Sequence, residues 1–367
     1  MLSTTGILLA VALAIAGALL LIPRVIQLGH RYRLLDMPGH HKRHDRPTPA
    51  LGGIALFATF WITVGVMLLV YPSALPAMQG VIGYIFAGAL IIFLVGLSDD
   101  LSPLSAWVKL VSQVGAAVVL YIGGLSVDPL TIPFYGPVET GNAALLITII
   151  WVVALTNAIN LLDGLDLLAG GVSLIAAVVL MIVGTQLQVS TVVLLALAMA
   201  GFLIVFLYYN RPPARLFLGD SGSLQLGYYF AVMSLLVPIR SYTAAALYVP
   251  LLTLAVPLLE AGLSIVRRIA AGRSVMRADR RHLFHLLAFA GLSRMQIVGV
   301  FYALSAIFGG FALSMFYFSR RWVLGFLALF MVVIFVLFLI LLTNLPRAGH
   351  RNGPVTPDRT PDDRRGE

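Results

Sequence analysis

Residues 80–100 read GVIGYIFAGALIIFLVGLSDD. The segment 80–97 contains no charged residue, and a helix needs about 20 apolar residues to cross a hydrocarbon core of roughly 30 Å. Two adjacent carboxylates, Asp99 and Asp100, follow after a single serine. The stretch therefore predicts a membrane-spanning helix with its charged side chains at one end.

The same pattern of a long apolar run with a short polar end recurs along the whole chain. Of the 367 residues, 60% are hydrophobic and 11% are charged, whereas soluble domains have about half and about a quarter. We therefore predict an all-α, polytopic membrane domain over 1–345 with about eleven transmembrane helices, and a disordered, Pro- and Arg-rich tail over 346–367. The predicted spans lie near 5–28, 51–71, 80–97, 107–124, 143–160, 167–186, 190–208, 224–239, 244–265, 293–316 and 322–344.

The charged residues predict the orientation. With the N-terminus outside and the C-terminus in the cytoplasm, only Arg240, Arg320 and Arg321 of the 24 Lys and Arg residues face outward, as the positive-inside rule requires. The net charge of +9 is thus explained by topology and attraction to anionic lipid, and no nucleic-acid partner is expected. The absence of cysteine excludes a disulfide framework and a thiolate metal site.

The polar motifs all fall at predicted cytoplasmic ends of spans. Asp99 and Asp100 repel each other unless a cation lies nearby, and Mg²⁺, with Mn²⁺ as an alternative, suits oxygen ligands. The other interpretation is a solvated turn or a helix N-cap. Glu260 is the one acid deep within a predicted span. Because the other acids cluster at one face, a role in helix packing or in a lipid groove is favoured over an ion pathway.

A second motif, NAINLLDGLD, occupies 157–166. Spacing of three residues places Asn157, Asn160 and Asp163 along one stripe of a helix, and Asp166 follows Gly164, which allows close approach to a ligand. The stripe predicts a polar binding surface. Hydrogen bonding between helices by the asparagines is the alternative.

A third motif, RLFLGDSGS at 215–223, predicts a glycine-punctuated loop. Its backbone N–H groups suit phosphate oxygens, Asp220 is a candidate metal ligand, and Phe217 offers a face for a nucleobase. A plain turn with a helix N-cap is the alternative.

Two basic segments complete the set. The first cytoplasmic loop contains Lys42, His44 and Thr48, and a later one contains Arg281, His282 and His285. Their cations suit phosphate groups, although positive-inside anchoring alone also accounts for basic residues in such loops.

These five ordered motifs, between about Asp36 and His285, resemble the polyprenyl-phosphate N-acetylhexosamine-1-phosphate transferases. The resemblance implies transfer of a sugar phosphate from a UDP-N-acetylhexosamine to undecaprenyl phosphate in the bacterial inner membrane, with release of UMP, and leaves homodimer formation open. The candidate catalytic residues are Asp99, Asp100 and Asp163, and the candidate metal ligands are Asp220 and Asp100. The candidate substrate-binding residues are Lys42, His44, Thr48, Asn157, Asn160, Asp166, Phe217, Arg281, His282 and His285.

Two positions depart from the family pattern. Leu167 stands where the family often has glycine, and Phe284 interrupts a motif that is commonly a run of histidines. Eleven spans resemble the branch that uses UDP-GlcNAc, whereas the branch that uses UDP-MurNAc-pentapeptide typically has ten. A membrane transporter is the rival class, but its charges would line a path across the bilayer instead of clustering at one face.

Overall fold

The computed structural model describes residues 2–37, 46–128, 130–132, 136–237, 251–270 and 283–344. Within these ranges the chain is almost entirely helical, apart from two short antiparallel hairpins. The chain forms two units, Met1–Gly325 and Phe326–Glu367. The helices are α1 (Thr4–Arg31), α2 (Gly52–Val70), α3 (Pro76–Gln79), α4 (Ile82–Leu101), α5 (Ala106–Ile122), α6 (Ala144–Leu162), α7 (Leu168–Gln186), α8 (Ser190–Asn210), α9 (Gly219–Leu236), α10 (Ala255–Ala270), α11 (Leu283–Phe289), α12 (Arg294–Ser314) and α13 (Arg320–Asn344).

The two hairpins lie in connections between helices. In the first, β1 (Leu35–Asp36) pairs with β2 (Thr48–Pro49), and in the second, β3 (Leu130–Ile132) pairs with β4 (Gly136–Val138). Short 3₁₀ turns occupy Pro72–Ala74 and Gly141–Ala143.

Seven helices of the described chain are long and apolar enough to cross a membrane. This confirms the predicted all-α, polytopic class. The total of eleven spans and the orientation stay predictions, because 238–250 and 271–282 lie outside the described residues, as does the predicted tail over 346–367.

Helix α9 forms the centre of the first unit. It packs against α2, α4 and α6, and every residue from Ser221 to Leu235 is buried. Close contact depends on glycines: a Cβ on Gly96 of α4 would lie 2.6 Å from the Ser221 Cα, and one on Gly227 would lie 2.5 Å from the Thr156 Cα. Small residues at helix interfaces allow such approach inside a membrane.

Two buried tyrosines of α9 form hydrogen bonds within the helix and to its neighbours. The Tyr229 hydroxyl donates to Gln225 Oε1 at 3.1 Å and accepts from Trp61 Nε1 at 3.1 Å, and the Tyr228 hydroxyl donates to the Ile85 carbonyl at 3.0 Å. Because an unpartnered polar group in apolar surroundings is costly, these bonds fix the rotation of α9 in the bundle.

One cavity is surrounded by the C-terminal ends of some helices and the N-terminal ends of others, as expected for helices that run in opposite directions. The C-terminal ends of α1, α4, α6 and α8 and the N-terminal ends of α2, α9 and α12 surround this cavity. The Ser293 side chain, within a capping box with Gln296, starts α12 at this end. The fold thus gathers residues far apart in sequence at one end of the bundle.

Candidate active site

The cavity has a volume of about 730 Å³ and a strongly acidic lining. Among the described residues, the carboxylates that line it are Asp36, Asp99, Asp100, Asp163, Asp166 and Asp220. Arg33, Arg294 and His285 are the basic side chains in this lining. Such a concentration of charge at the end of an apolar bundle marks a functional site.

Asp100 joins α4 to the start of α9. Its Oδ1 accepts from the Asp220 N–H at 2.7 Å and its Oδ2 accepts from the Ser221 N–H at 3.0 Å. The first N–H groups of a helix have no partner within the helix, so this carboxylate caps α9. The helix-cap alternative therefore describes Asp100, although the capped helix is α9 and not the next span.

Gly219 makes this cap sterically feasible. Its φ is +73°, and a Cβ there would lie 2.7 and 2.8 Å from the two Asp100 carboxylate oxygens. The predicted loop at 215–223 is wrong for residues 219–223, because these residues form the first turn of α9. Two of the N–H groups that were expected to bind phosphate are bonded to Asp100 instead.

Lys109 of α5 connects two of the carboxylates. Its ammonium group donates to Asp99 Oδ2 at 2.7 Å and also forms an ion pair with Asp220. Asp99 Oδ1 accepts from the Leu104 N–H at 2.8 Å, which fixes the turn between α4 and α5. The lysine thus reduces the repulsion between two acids at the cavity wall.

Asn160 aligns Asp220 from the other side. Its Nδ2 donates to Asp220 Oδ1 at 3.1 Å and to Ser223 Oγ at 2.8 Å. The second and third motifs therefore meet, as expected for one site.

Asp163 ends α6 as its C-cap and exposes its side chain to the cavity. Enclosure by the protein raises the pKa of this carboxyl to about 8, and the negative charges of Asp220, Asp100 and Asp166 contribute to the increase.

Phe284 covers the turn that follows Asp163. The ring is buried, lines the cavity and lies so close to Gly164 that a Cβ there would be 2.7 Å from Cζ. His285 lies beside this ring, with centroids 4.4 Å apart. Buried Glu260 accepts from the Leu283 N–H at 2.9 Å and holds the start of α11, in line with a packing role.

Phe217 lines the cavity on a short extended segment before α9. Its N–H donates to the Pro49 carbonyl at 2.9 Å, and its carbonyl accepts from the Gly52 N–H at 3.0 Å. Backbone bonds to the β2–α2 connection therefore fix the position of the aromatic ring.

Several predicted site residues lie elsewhere. Asn157 is outside the cavity lining, and its Nδ2 donates to Gln113 Oε1 of α5 at 2.6 Å. Thr48 is buried in β2, and its hydroxyl donates to the Arg46 carbonyl at 3.1 Å. Lys42, His44, Arg281 and His282 lie outside the described residues.

Sequence reasoning missed Lys109, Asn210, Asp36, Arg33 and Arg294. Lys109 had a detectable signal, because it is the one charged residue in the predicted span 107–124 and intramembrane charges are functional candidates. Nothing in the sequence distinguishes Asn210, a neutral residue at the end of a span.

The described residues contain no group of three or more His, Cys, Asp or Glu side chains arranged to hold a metal ion. The donor chemistry nevertheless fits a hard cation, since carboxylate oxygens are its preferred ligands and Asp99, Asp100 and Asp220 all line the cavity. Both oxygens of Asp100 already accept N–H groups. Both oxygens of Asp99 likewise accept hydrogen bonds, from the Leu104 N–H and from Lys109, so these bonds do not distinguish Asp99 from Asp100 as a partner of Asp220 in holding Mg²⁺.

Comparisons with known proteins agree with the motif-based resemblance. Residues 82–237 match the family described as Glycosyl transferase family 4. The chain is 34% identical to the probable undecaprenyl-phosphate N-acetylglucosaminyl 1-phosphate transferase of Bacillus subtilis (strain 168), over 82% of this chain and 83% of that protein. It is 34% identical to the decaprenyl-phosphate N-acetylglucosaminephosphotransferase of Mycobacterium leprae (strain TN), over 80% of each. It is 31% identical to the phospho-N-acetylmuramoyl-pentapeptide-transferase of Mycobacterium sp. (strain JLS), over 85% of this chain and 97% of that protein.

Proposed function

We infer that this chain, which belongs to glycosyl transferase family 4, transfers N-acetylhexosamine 1-phosphate from a UDP-sugar to a polyprenyl phosphate and releases UMP. Undecaprenyl phosphate is the proposed acceptor and GlcNAc the proposed sugar, in keeping with the name of the Bacillus subtilis relative. The bacterial inner membrane is the proposed location. The observation that supports this function is the acidic cavity that the described residues form at the end of an apolar bundle.

The position of the cavity suits one water-soluble and one lipid-anchored substrate. Phosphoryl transfer depends mainly on positioning and on neutralising charge. We propose that the Phe217 ring stacks on the uracil and that Asp166 contacts its edge, because both line the cavity. Asp220, which Asn160 fixes, is the proposed ligand for Mg²⁺, with one of the paired aspartates, Asp99 or Asp100, as the second ligand. A magnesium ion bound there would supply charge neutralisation to the pyrophosphate.

The reaction is proposed as a direct, in-line displacement. An oxygen of the lipid phosphate bonds to the sugar-linked phosphorus, the bond to the bridging oxygen breaks, and UMP leaves with that oxygen. We propose that one of the paired aspartates, Asp99 or Asp100, accepts a proton from the lipid phosphate, because both line the cavity. Detection of a phosphorylated protein after rapid mixing with the UDP-sugar alone would contradict direct attack.

The decisive experiment measures transfer of radiolabel from UDP-GlcNAc to undecaprenyl phosphate by purified protein in detergent with Mg²⁺. We expect a lipid-linked product in the wild type and its loss in Asp220→Asn. Glu139→Gln is a matched control, because this exposed carboxylate precedes α6 at the end away from the cavity. Product only with UDP-MurNAc-pentapeptide would assign the chain to the other branch, and no product with any UDP-sugar would refute the proposal.

A further inference from the structure

Leu167 has an unusual backbone conformation next to the proposed nucleotide site. It follows Asp166 directly and has φ +70° and ψ −18°, in the left-handed region. A residue with a Cβ rarely adopts this region, whereas glycine does so readily. Something outside the residue must therefore hold the turn from Asp163 to Leu167 in its observed shape.

Two side chains from different helices hold the backbone of Leu167. The Oδ1 atom of Asn210, from α8, accepts from the Leu167 N–H at 2.7 Å. The hydroxyl of Tyr302, from α12, donates to the Leu167 carbonyl at 2.6 Å. The same carbonyl accepts from the Gly171 N–H at 2.9 Å in the first turn of α7.

Asn210 also fixes the second wall of the site. It is 6% exposed, and its Nδ2 donates to the Leu216 carbonyl at 2.9 Å, one residue before Phe217. One buried amide thus links the turn that carries Asp166 to the segment that carries the aromatic ring. Because the amide donates on one side and accepts on the other, neither aspartate nor leucine reproduces both bonds.

The Tyr302 hydroxyl can approach α7 this closely only because residue 171 is a glycine. A Cβ on Gly171 would overlap the Tyr302 hydroxyl. Alanine is the better helix former at an interior position, so this glycine serves the contact and not the helix.

We propose that Asn210 and Tyr302 are positioning residues that place Asp166 and Phe217 for the UDP-sugar by holding Leu167 in the left-handed conformation. This inference rests on the proposed function. Loss of either bond lets Leu167 return to negative φ, which rotates Asp166 away from the nucleotide. Binding of the lipid phosphate, which is proposed to lie near the paired aspartates Asp99 and Asp100, is affected much less.

The test compares Tyr302→Phe with Tyr317→Phe in the full-length protein. Tyr317 follows α12 and accepts from Gln186 Nε2 at 2.8 Å at an exposed site, so the control also loses one hydroxyl. For Tyr302→Phe we expect at least a fivefold increase in KM for the UDP-sugar, with KM for undecaprenyl phosphate within twofold and an unchanged Tm. Adding Leu167→Gly should recover most of the lost affinity, since glycine accepts positive φ without restraint.

Gly171→Ala provides a second variant that leaves Tyr302 intact. Its Tm should fall, because the added Cβ displaces the Tyr302 ring, and its KM for the UDP-sugar should increase while KM for undecaprenyl phosphate stays within twofold. If both KM values rise together, the role is general packing and the inference is wrong. An unchanged KM for the UDP-sugar in both variants would overturn it as well.

Hydrogen exchange separates this inference from the proposed function. Amides at 163–167 should exchange faster in Tyr302→Phe than in Tyr317→Phe, whether or not the protein transfers sugar. Equal exchange overturns the inference even if the wild type is active. Faster exchange with an inactive wild type refutes the proposed function and supports the restraint on Leu167.

Discussion

The ammonium group of Lys109 lies between Asp99 and Asp220, two carboxylates that repel each other without it. Replacing Lys109 with methionine keeps the length of the side chain and removes the charge. Because an uncompensated partly buried charge is costly, we expect the initial rate of sugar-phosphate transfer to fall at least tenfold. Lys109→Arg keeps the charge, and its transfer rate should therefore fall less than that of Lys109→Met. Equal rates in the two variants would contradict an electrostatic role.

Asp163 should reduce stability while it supports activity. Its folded pKa is raised to about 8, whereas an unfolded aspartate has a pKa of about 3.9. The folded state therefore binds more protons between these values, and stability falls as pH rises from about 4 to about 8. In the metal-free protein, Asp163→Asn should have a higher Tm than the wild type at pH 8, and the difference should shrink toward pH 5.

Differential scanning fluorimetry across this pH range measures the effect, and transfer assays measure the accompanying loss of activity. A difference in Tm that is constant with pH would show that Asp163 does not titrate as described. Ser102→Ala, at an exposed position after α4, controls for the general pH response.

The sequence predicts the aspartates of the cavity better than it predicts the neutral residues that support them. Asp99, Asp100, Asp163, Asp166 and Asp220 could be predicted because ionised groups at the end of an apolar run are costly without a purpose. Asn210 and Tyr302 could not, because their contacts join segments far apart in the sequence. The departure at Leu167 was detectable, but its left-handed backbone required the structure.

At the level of helices, the start of α9 depends on the fit between Gly219 and Asp100. Gly219→Ala would place a Cβ against both carboxylate oxygens and at an unfavourable φ. We expect a loss of roughly 1–3 kcal/mol in the free energy of unfolding and a strong loss of transfer. Gly115→Ala is the matched control, because a Cβ there meets nothing within 4 Å, and alanine should be neutral or stabilising in α5.

Thermal unfolding in detergent and transfer rates measure both variants. Full activity in Gly219→Ala would show that the Asp100 cap does not position Asp220.

The Gln113–Asn157 pair tests two interpretations of one polar stripe. Asn157 points to α5 and bonds Gln113, while Asn160, three residues on, bonds Asp220. Asn157→Leu should lower stability by about 0.6–1.7 kcal/mol and leave KM for the UDP-sugar within twofold. Asn160→Leu should raise that KM at least tenfold. A comparable increase in both variants would restore Asn157 as a substrate-binding residue.

Helix positions were largely predictable from apolar length, since α5 and α8 occupy Ala106–Ile122 and Ser190–Asn210, where spans were expected near 107–124 and 190–208. The start of α9 was not, because GDSGS lacks apolar residues and has the composition of a turn. A distant carboxylate supplies the cap, and no local pattern reveals it.

At the level of the whole molecule, successive spans joined by short connections run in opposite directions. Every second connection therefore lies on the same side of the membrane, which predicts that the motifs in these connections lie together. The cavity confirms that these ends meet at one end of the first unit. Which side of the membrane this end faces depends on the positive-inside rule alone. An accessibility experiment can test it directly.

The absence of cysteine makes single-cysteine variants specific probes. Ser73 lies in an exposed turn after α2, and Ser102 lies in an exposed turn after α4. With the N-terminus outside, a membrane-impermeant maleimide should label Ser73→Cys in intact cells and Ser102→Cys only after permeabilisation. The reverse pattern would place the acidic cavity outside, away from any cytoplasmic UDP-sugar, and would refute both the orientation and the proposed reaction. Labelling of both sites in intact cells would instead indicate that the reagent leaks through the membrane. A cytoplasmic marker protein with a reactive cysteine, which must stay unlabelled in the same cells, controls for this leakage.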